Sequence, residues 1–321
     1  MRAARQAPAL VHHPDYYADI GGHVFPMEKF RLIREEIVRR GLVREDEFVA
    51  PAPATPEQVA RAHDRAYIEK LLHGRLSALE EAILELPYSK ALVDACLLCA
   101  GGSIAAARLA LRREIAINLG GGFHHAFADH GEGFCVLNDV AIAIRELQTA
   151  KEIRRAAVID VDVHQGNGTA ALFRDDPTVF TFSIHEEDNY PAVKPPSDVD
   201  IGLETHASGE RYLASLAHNV PRILDRVEPD LVAYVAGADP YEEDQLGRLS
   251  LTRDDLRARD RLVFDACVVR GVPVFATLAG GYARNVADTV GIHADMVEEA
   301  FRILGGGPAG TGGPVGTGGA G

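Results

Sequence analysis

Five short runs of β-branched and other apolar residues constrain the fold of this chain more than any other feature. They cover residues 115–119, 156–163, 178–184, 231–237 and 273–280, and most are apolar on both faces. Strands of a parallel sheet have this pattern because helices cover both faces of the sheet. Since segments with helical signals separate the runs, we predict a single α/β domain. Its mostly parallel, multi-stranded sheet is expected to carry helices on both faces.

Capping signals mark several helices between and before these runs. Thr55 begins a helix that we expect to run to about Leu72, because a proline and then a capping-box glutamine follow the threonine. Thr252 has the same role before a second helix, and Asn138 caps a third. Residues 27–40 are amphipathic and end at a glycine, which predicts a fourth helix.

The composition changes only near the C-terminus. Residues 1–304 contain no linker and no fixed-period repeat, so we predict one domain over this range. Residues 305–321 read GGGPAGTGGPVGTGGAG, a composition that cannot build a packed core. We therefore expect a disordered Gly-rich tail.

Charge and cysteine content exclude several functions. The net charge of −14 argues against nucleic acid as a partner, because phosphate binding needs clustered Lys and Arg. An acidic surface would instead attract a cationic substrate. Cys96 and Cys99 lie in an apolar helical pattern without a second Cys/His pair, which favours buried core over a metal site. We find no secretion signal or membrane span and expect a cytoplasmic protein, with the oligomeric state left open.

Polar residues follow each of the five runs. The chain continues into GGGFHH, DVDVHQGNG, SIHEED, GADPYEED and AGGYARN at these points. Ligands of open α/β sheets bind at the carboxyl ends of the strands. The sequence therefore predicts one active site at this edge of the sheet.

Asp162, His164 and Asp239 are candidate metal ligands. Asp162 and His164 are two apart in an extended segment, so their side chains leave the same face, and Asp239 ends another run. Two carboxylates and one imidazole leave a coordination position open, as in catalytic zinc sites. We predict Zn²⁺, although Fe²⁺ or Co²⁺ could occupy the same ligands. A lone D-x-H is more often a strand-end turn, but that interpretation leaves the other polar strand ends unexplained.

Adjacent histidines follow the glycine-rich turn after the first run. Of His124 and His125, one can act as general base and acid, and the other can supply positive charge or a second hydrogen bond. Asp160, in phase with Asp162 on the same strand face, could orient one imidazole. Tyr282 follows a glycine pair and can donate a hydrogen bond to the oxygen that becomes negative in a tetrahedral intermediate.

Taken together, these motifs carry a resemblance to a known family. The chain resembles histone deacetylases, including their acetylpolyamine amidohydrolase relatives, in the ordered segments GGGFHHAFADHGEGFCVLND, AVIDVDVHQGNGT, GADPYEEDQLGRLSLT and AGGY. The resemblance spans about residues 8–300. Two further segments, HVFPMEKF and HQGNG, are more similar to the class IV branch and its prokaryotic relatives.

The resemblance implies an arginase/deacetylase-type fold with Zn²⁺ on the three candidate ligands. It implies that His125 is the general base and acid, that His124 is its electrostatic partner, and that Tyr282 polarises the substrate carbonyl. It also implies that Gly133 and Phe134 line an acyl-lysine tunnel. A second aromatic wall residue is expected, but the sequence does not identify it.

The resemblance further implies two structural K⁺ sites. The first, formed partly by backbone carbonyls, corresponds to Asp160, Asp162, His164, Ser183 and Ile184. The second, farther from the catalytic residues, corresponds to Phe173, Asp176 and Val179.

Two positions depart from the family pattern. Asn167 stands where many members have the aspartate that pairs with the base histidine, so His125 is expected to be less basic. Arg65 occupies the position of a rim aspartate that grips the substrate backbone, and Asp64 beside it is the candidate substrate contact. Peptides are therefore expected to be held differently, or another acylated amine is the natural substrate.

These features predict a zinc-dependent deacylase that hydrolyses the amide of an acylated lysine peptide or a similar acylated amine through a metal-activated water. An acetylpolyamine or other small-molecule amidohydrolase and a long-chain deacylase are alternatives of the same class. A metal-binding acyl-lysine reader without turnover is the alternative from a different class. A di-manganese ureohydrolase is less favoured, because HQGNG breaks the D-x-H-x-D pattern that it needs.

Overall fold

Seven parallel strands form one sheet in the computed structural model, which describes residues 5–305. The strand order is β1-β2-β7-β6-β3-β4-β5. The strands are β1 (Ala9–Val11), β2 (Ile115–Asn118), β3 (Ala156–Asp160), β4 (Val179–Glu186), β5 (Val199–Leu203), β6 (Leu231–Val235) and β7 (Val274–Thr277). The predicted disordered tail lies outside the described residues from 306 onward and stays a prediction.

Ten α-helices of the described residues pack around this sheet. They are α1 (Lys29–Arg39), α2 (Pro56–Val59), α3 (Arg65–His73), α4 (Ala78–Leu84), α5 (Lys90–Arg113), α6 (Asp139–Thr149), α7 (Asn167–Phe173), α8 (Gly209–Val227), α9 (Arg253–Arg270) and α10 (Val286–Ile303). One group pairs α5 with α6 and with the strands β1, β2 and β7, and a second joins α1, α10, α9 and α8 in series. Every residue of β2, β3, β6 and β7 is buried, so both faces of the central strands are covered, as predicted.

A strand lies at each of the five predicted runs, but β6 and β7 end earlier than predicted, and so does β3. It ends at Asp160, so Asp162 and His164 lie in the following loop and not in an extended segment. The amide of Asp162 donates to the Asp160 carboxylate, and the amide of His164 donates to the Asp162 carboxylate. Such local bonds from carboxylates to the backbone compete with strand pairing and turn the chain.

The two edge strands carry no comparable sequence signal. β1 has only three residues, and β5 alternates between half-buried and exposed positions. A run of three apolar residues is too short to define a strand, and an edge strand needs no apolar pattern on its outer face.

The single helix predicted from Thr55 to about Leu72 is wrong. The Thr55 capping box is present, but α2 ends at Val59 and α3 begins at Arg65. Between these helices the Asp64 amide donates to the Ala128 carbonyl at 2.7 Å. This contact with a distant loop overrides the helical pattern of the local sequence.

Among residues 5–305, one helix is long and apolar enough to cross a membrane by length and composition, and it is α5. In its most apolar stretch 72% is buried, and the helix packs against the sheet and α6. Cys96 and Cys99 are buried within α5, as predicted. This burial is typical of a central core helix.

Candidate active site

The carboxyl ends of the four central strands deliver polar side chains to one edge of the sheet. The strands β2, β7, β6 and β3 are neighbours in this order. The loops after them carry, in the same order, the predicted histidine pair, Tyr282, Asp239 and Asp162. Because parallel strands point the same way, residues that are far apart in sequence meet at this edge.

Asp162, His164 and Asp239 form a buried cluster. One ligand atom from each residue lies within 4.8 Å of the other two. His164 Nδ1 lies 3.0 Å from Asp162 Oδ1 and 3.4 Å from Asp239 Oδ2. One nitrogen and two carboxylate oxygens suit zinc and other divalent ions, and they leave a coordination position open.

Backbone amides and a closely packed glycine hold this cluster. Val163 N donates to Asp239 Oδ1 at 2.9 Å, and Gly280 N donates to Asp162 Oδ2 at 2.9 Å. A Cβ atom at Gly280 would lie 1.9 Å from Asp239 Oδ2, so only glycine fits there. Asp239 Oδ2 is buried and has no hydrogen-bond partner within residues 5–305. A buried carboxylate oxygen without a partner destabilises the fold, and a cation bound in the cluster would be its partner.

The charges of the cluster also fit a cation. Burial lowers the pKa of His164, but the carboxylates of Asp162 and Asp239 outweigh it and raise the pKa to about 10. Burial and then repulsion by Asp162 raise the pKa of Asp239 to about 7. A group of ligands that retains protons in this way exchanges them for a metal ion on binding. The residues therefore fit a divalent ion by charge as well as by atom type.

His124 is paired with a full negative charge. Its Nδ1 lies 2.7 Å from Asp160 Oδ2, and both side chains are buried. Burial disfavours the imidazolium, but Asp160 and then Asp162 raise the pKa of His124 to about 9. His124 can therefore carry positive charge beside the cluster at neutral pH.

His125 is paired with an amide. Its Nδ1 lies 2.7 Å from Asn167 Oδ1. Burial, followed by the charges of His124 and His164, lowers the pKa of His125 well below its usual value. Because a carbonyl oxygen only accepts hydrogen bonds, it favours the tautomer with the proton on Nδ1 and leaves the Nε2 lone pair free. A neutral imidazole of this kind can act as a base.

Asp139 fixes the glycine turn that carries both histidines. Its Oδ1 accepts hydrogen bonds from Gly122 N at 2.9 Å and from Phe123 N at 2.8 Å. Ser103 Oγ donates to its other oxygen at 2.5 Å. Gly122 has a φ of +86°, and a Cβ there would lie 2.6 Å from the backbone of Ala279. The glycines are thus required by conformation and by close approach to the loop after β7.

A cavity of about 200 Å³ opens onto these groups. It is lined by Glu85, His125, Gly133, Phe134, His164, Asn189, Tyr190, Leu246 and Tyr282. Aromatic rings form its walls, and the histidines form its polar end. Larger grooves of about 950 and 810 Å³ are lined by none of the predicted catalytic or metal residues, whereas a third, of about 740 Å³, includes Tyr282 in its lining.

Tyr282 lines this cavity and is 7% exposed. Its backbone amide donates to Asp244 Oδ2 at 2.7 Å, which fixes the loop after β7. Its ring lies 6.0 Å from the rings of Phe25 and Phe134, each in an edge-to-face arrangement. Burial and then the charges of Asp239 and Asp162 raise the pKa of Tyr282 well above its usual value, so the phenol keeps its proton.

Several lining residues were not predicted from the sequence. Tyr190 forms the second aromatic wall, with its ring 4.9 Å from that of His125. Glu85, at the C-terminal cap of α4, is an acidic residue at the cavity. Asp64, predicted to contact the substrate, is exposed and does not line it, because its amide is bound to the loop at Ala128. The sequence held no signal for Tyr190 or Glu85, since both lie on loops.

The candidate K⁺ ligands lie close together within each group. Asp160 and Ser183 are register partners across β3 and β4, and Ile184 follows on β4. In the second group the Phe173 carbonyl accepts from Asp176 N at 3.0 Å. The Asp176 carbonyl accepts from Val179 N at 3.2 Å. The second group is therefore a hydrogen-bonded turn between α7 and β4.

Comparison with known proteins relates this site to one family. The model of the histone deacetylase domain matches residues 23–296. A protein of Picosynechococcus sp. without an assigned function is 42% identical over 286 residues, which cover 89% of this chain and 95% of that protein. Histone deacetylase 2 of Arabidopsis thaliana is 30% identical over 292 residues, with coverage of 87% and 74%.

A solved structure has the same fold. The crystal structure of the HDA15 HD domain superposes with a TM-score of 0.75. The superposition covers 95% of this chain and 90% of that one at 19% sequence identity. The likeness at this identity concerns the fold, and it agrees with the predicted arginase/deacetylase type.

Proposed function

Because the chain belongs to the histone deacetylase family and is a hydrolase of the deacetylase type, we propose that it is a zinc-dependent deacylase acting on N-acyl-lysine or a similar acylated amine. One observation carries the proposal. His164 of the three-ligand cluster, the neutral imidazole of His125 and the protonated phenol of Tyr282 all line the same cavity of about 200 Å³. Hydrolysis of an amide needs these three kinds of group.

Asp162, His164 and Asp239 would hold the metal. A divalent ion supplies Lewis acidity to a carbonyl oxygen and lowers the pKa of water. Zn²⁺ is the proposed ion, because two carboxylates and one imidazole with an open position form a catalytic zinc ligand set. The same atoms would also accept Fe²⁺ or Co²⁺.

The protein's own side chains have three separate roles: proton transfer, charge stabilisation and hydrogen-bond donation. His125, neutral and held through Nδ1, presents Nε2 to take a proton from the attacking water and to return it to the leaving amine. His124, kept charged by Asp160, stabilises the negative charge that develops nearby. The Tyr282 phenol donates a hydrogen bond to the same developing oxyanion.

The proposed K⁺ ions would bind at the two groups of candidate ligands described above. The location of the first group supports this proposal. It includes Asp160, whose carboxylate also binds His124. A monovalent cation at its backbone carbonyls would strengthen the positive field around the loop that carries the metal ligands.

The dimensions of the cavity favour a thin, unbranched substrate. Phe134, Tyr190 and Leu246 give it apolar walls that suit the methylene stem of a lysine. Glu85 adds one carboxylate to the lining. That carboxylate also favours a second candidate, an acetylpolyamine, whose free ammonium groups would pair with it.

A substrate panel tests the proposal. We expect zinc-loaded protein to hydrolyse acetyl-lysine peptides, acetylpolyamines or fatty-acyl lysines, and the relative kcat/KM values identify the class. Chelation should abolish turnover and Zn²⁺ should restore it. The variant His125→Ala should bind a hydroxamate inhibitor but lose turnover. If the folded, zinc-loaded protein binds acyl-lysine and hydrolyses none of the panel, it is a reader and the proposal is wrong.

A further inference from the structure

We propose that Glu132 is a positioning residue that sets the tautomer of His125 through the amide of Asn167. The inference rests on the proposed function, because it explains how this site keeps a base without a carboxylate beside His125. The observation behind it is a continuous hydrogen-bonded chain from the imidazole through the amide to a carboxylate.

Three hydrogen bonds form this chain. His125 Nδ1 lies 2.7 Å from Asn167 Oδ1, and Asn167 Nδ2 donates to Glu132 Oε1 at 2.7 Å. The same Oε1 accepts the hydroxyl of Tyr190 at 2.8 Å. Within residues 5–305, no arginine or lysine forms an ion pair with Glu132, and the titratable nitrogen beside it is His130 Nε2, 3.5 Å from Oε2. The negative charge of Glu132 is therefore directed at the amide and the phenol.

The orientation of the Asn167 amide decides which nitrogen of His125 is free. In the observed orientation the amide oxygen accepts from Nδ1–H and leaves Nε2 as the proton acceptor. A flipped amide would present its NH₂ group to the imidazole and bind the tautomer that is protonated on Nε2, which cannot act as a base. Glu132 prevents the flip, because a carboxylate only accepts hydrogen bonds and the flipped amide oxygen would face it without a donor.

Charge strengthens this selection. A hydrogen bond to an ionised acceptor is stronger than one between neutral groups, and successive bonds polarise one another. The donated bond from Asn167 Nδ2 increases the negative character of Oδ1, which faces His125. Glu132 thus acts on His125 indirectly, through the Asn167 amide, and supplies part of the negative charge that a carboxylate at position 167 would supply directly.

The local structure holds Glu132 in place. The backbone groups of Glu132 and Cys135 hydrogen-bond to each other in both directions, with N···O distances of 3.1 and 2.9 Å. Gly133 between them has a φ of +51°, and a Cβ there would lie 2.9 Å from Tyr190 and 3.0 Å from His125. The turn therefore packs directly against the base and the aromatic wall, and Glu132 reaches Asn167 from a fixed origin.

The test changes the charge of Glu132 and keeps its shape. Glu132→Gln can donate to a flipped Asn167, so kcat of the zinc-loaded protein should fall about 10- to 100-fold, with KM nearly unchanged. In the Asn167→Asp background, Glu132→Gln should cause no loss of kcat. An aspartate at position 167 can only accept hydrogen bonds whichever way it is turned, and it repels Glu132. Tyr190→Phe is the control for the tautomer measurement alone, since it removes the other bond to Glu132 and leaves the acceptor facing Asn167.

Nitrogen NMR of ¹⁵N-histidine protein gives a readout that does not depend on turnover. His125 should be a single Nδ1-protonated tautomer in the wild type and in Tyr190→Phe, and a mixture in Glu132→Gln. Equal losses of kcat from Glu132→Gln in both backgrounds, or one unchanged tautomer, would overturn the inference. Failure of the wild type to hydrolyse any substrate would instead contradict the proposed function, and the tautomer measurement would still decide the role of Glu132.

Discussion

Replacing Gly280 with alanine tests whether the ligand cluster has fixed dimensions. A Cβ atom there would lie 1.9 Å from Asp239 Oδ2 and 2.6 Å from Asp162 Oδ2, whereas ordinary contacts begin at 3.4 Å. The Asp239 carboxylate would have to move by about 1.5 Å, the difference between the first distance and the last. Metal sites tolerate changes of only about 0.2 Å in ligand distance, so a shift of this size removes a ligand.

We expect Gly280→Ala to weaken zinc binding by at least about 10- to 100-fold, with a parallel loss of turnover. Zinc affinity is measured by competition with a chromogenic chelator, and folding by thermal and urea unfolding. Overpacking should cost about 1–3 kcal/mol of unfolding free energy. Gly22→Ala is the matched control, because a Cβ at Gly22 meets no atom within 4 Å. A folded Gly280→Ala protein that binds zinc as tightly as the wild type would refute the proposed ligand cluster.

Three further predictions concern the phenol, the glycine turn and the protons of the cluster. Tyr282→Phe keeps the ring and removes the donor, so kcat should fall about 10²–10³-fold at similar KM; an unchanged kcat would exclude the phenol from oxyanion binding. Asp139→Asn replaces a charged acceptor of two backbone amides, and urea unfolding should show a loss of about 1–3 kcal/mol, whereas an unchanged midpoint would contradict its anchoring role. Burial raises the pKa of Asp239 to about 7, and the two aspartates raise that of His164 to about 10, so both groups hold protons at acidic pH. Zinc affinity should therefore weaken as the pH falls below about 10, and more steeply below about 7, and binding should release protons, measured by calorimetry in two buffers; a pH-independent affinity would contradict this.

The sheet and its reactive edge were predictable because their signals are local. Apolar runs marked the central strands, and the polar residues after each run marked the edge where Asp239 and Tyr282 lie. The end of β3 was not predictable from apolar content. The Asp160 and Asp162 carboxylates bind the backbone two residues later and turn the chain, although the sequence continues as an apolar run to residue 163.

Residues on loops were predicted when they followed a strand directly or, like Phe134, lay in a segment that carries the family resemblance. Tyr190 and Glu132 are 58 positions apart and meet through one hydrogen bond, and neither residue type marks this contact in the sequence. Asp64 is exposed and lies outside the cavity lining, and its contact with substrate stays a prediction. It lies beside the matching motif position, at the break between α2 and α3, where its amide is bound to the Ala128 carbonyl. Loop geometry depends on such long-range contacts, which no local pattern contains.

The histidine pair shows how neighbouring residues of one type acquire different chemistry. The rings of His124 and His125 lie 4.1 Å apart, a distance at which two imidazolium ions would repel each other strongly in a buried site. Only one can hold an extra proton at neutral pH, and their acceptors decide which. Asp160 offers a full charge to His124, whereas Asn167 offers a dipole to His125, so the pKa of His124 is raised to about 9 against the effect of burial. Burial and the charged His124 then lower the pKa of His125. Asn167 therefore helps to give the two histidines different roles. It fixes the tautomer of His125 and adds no full negative charge beside the imidazole that would favour its protonation.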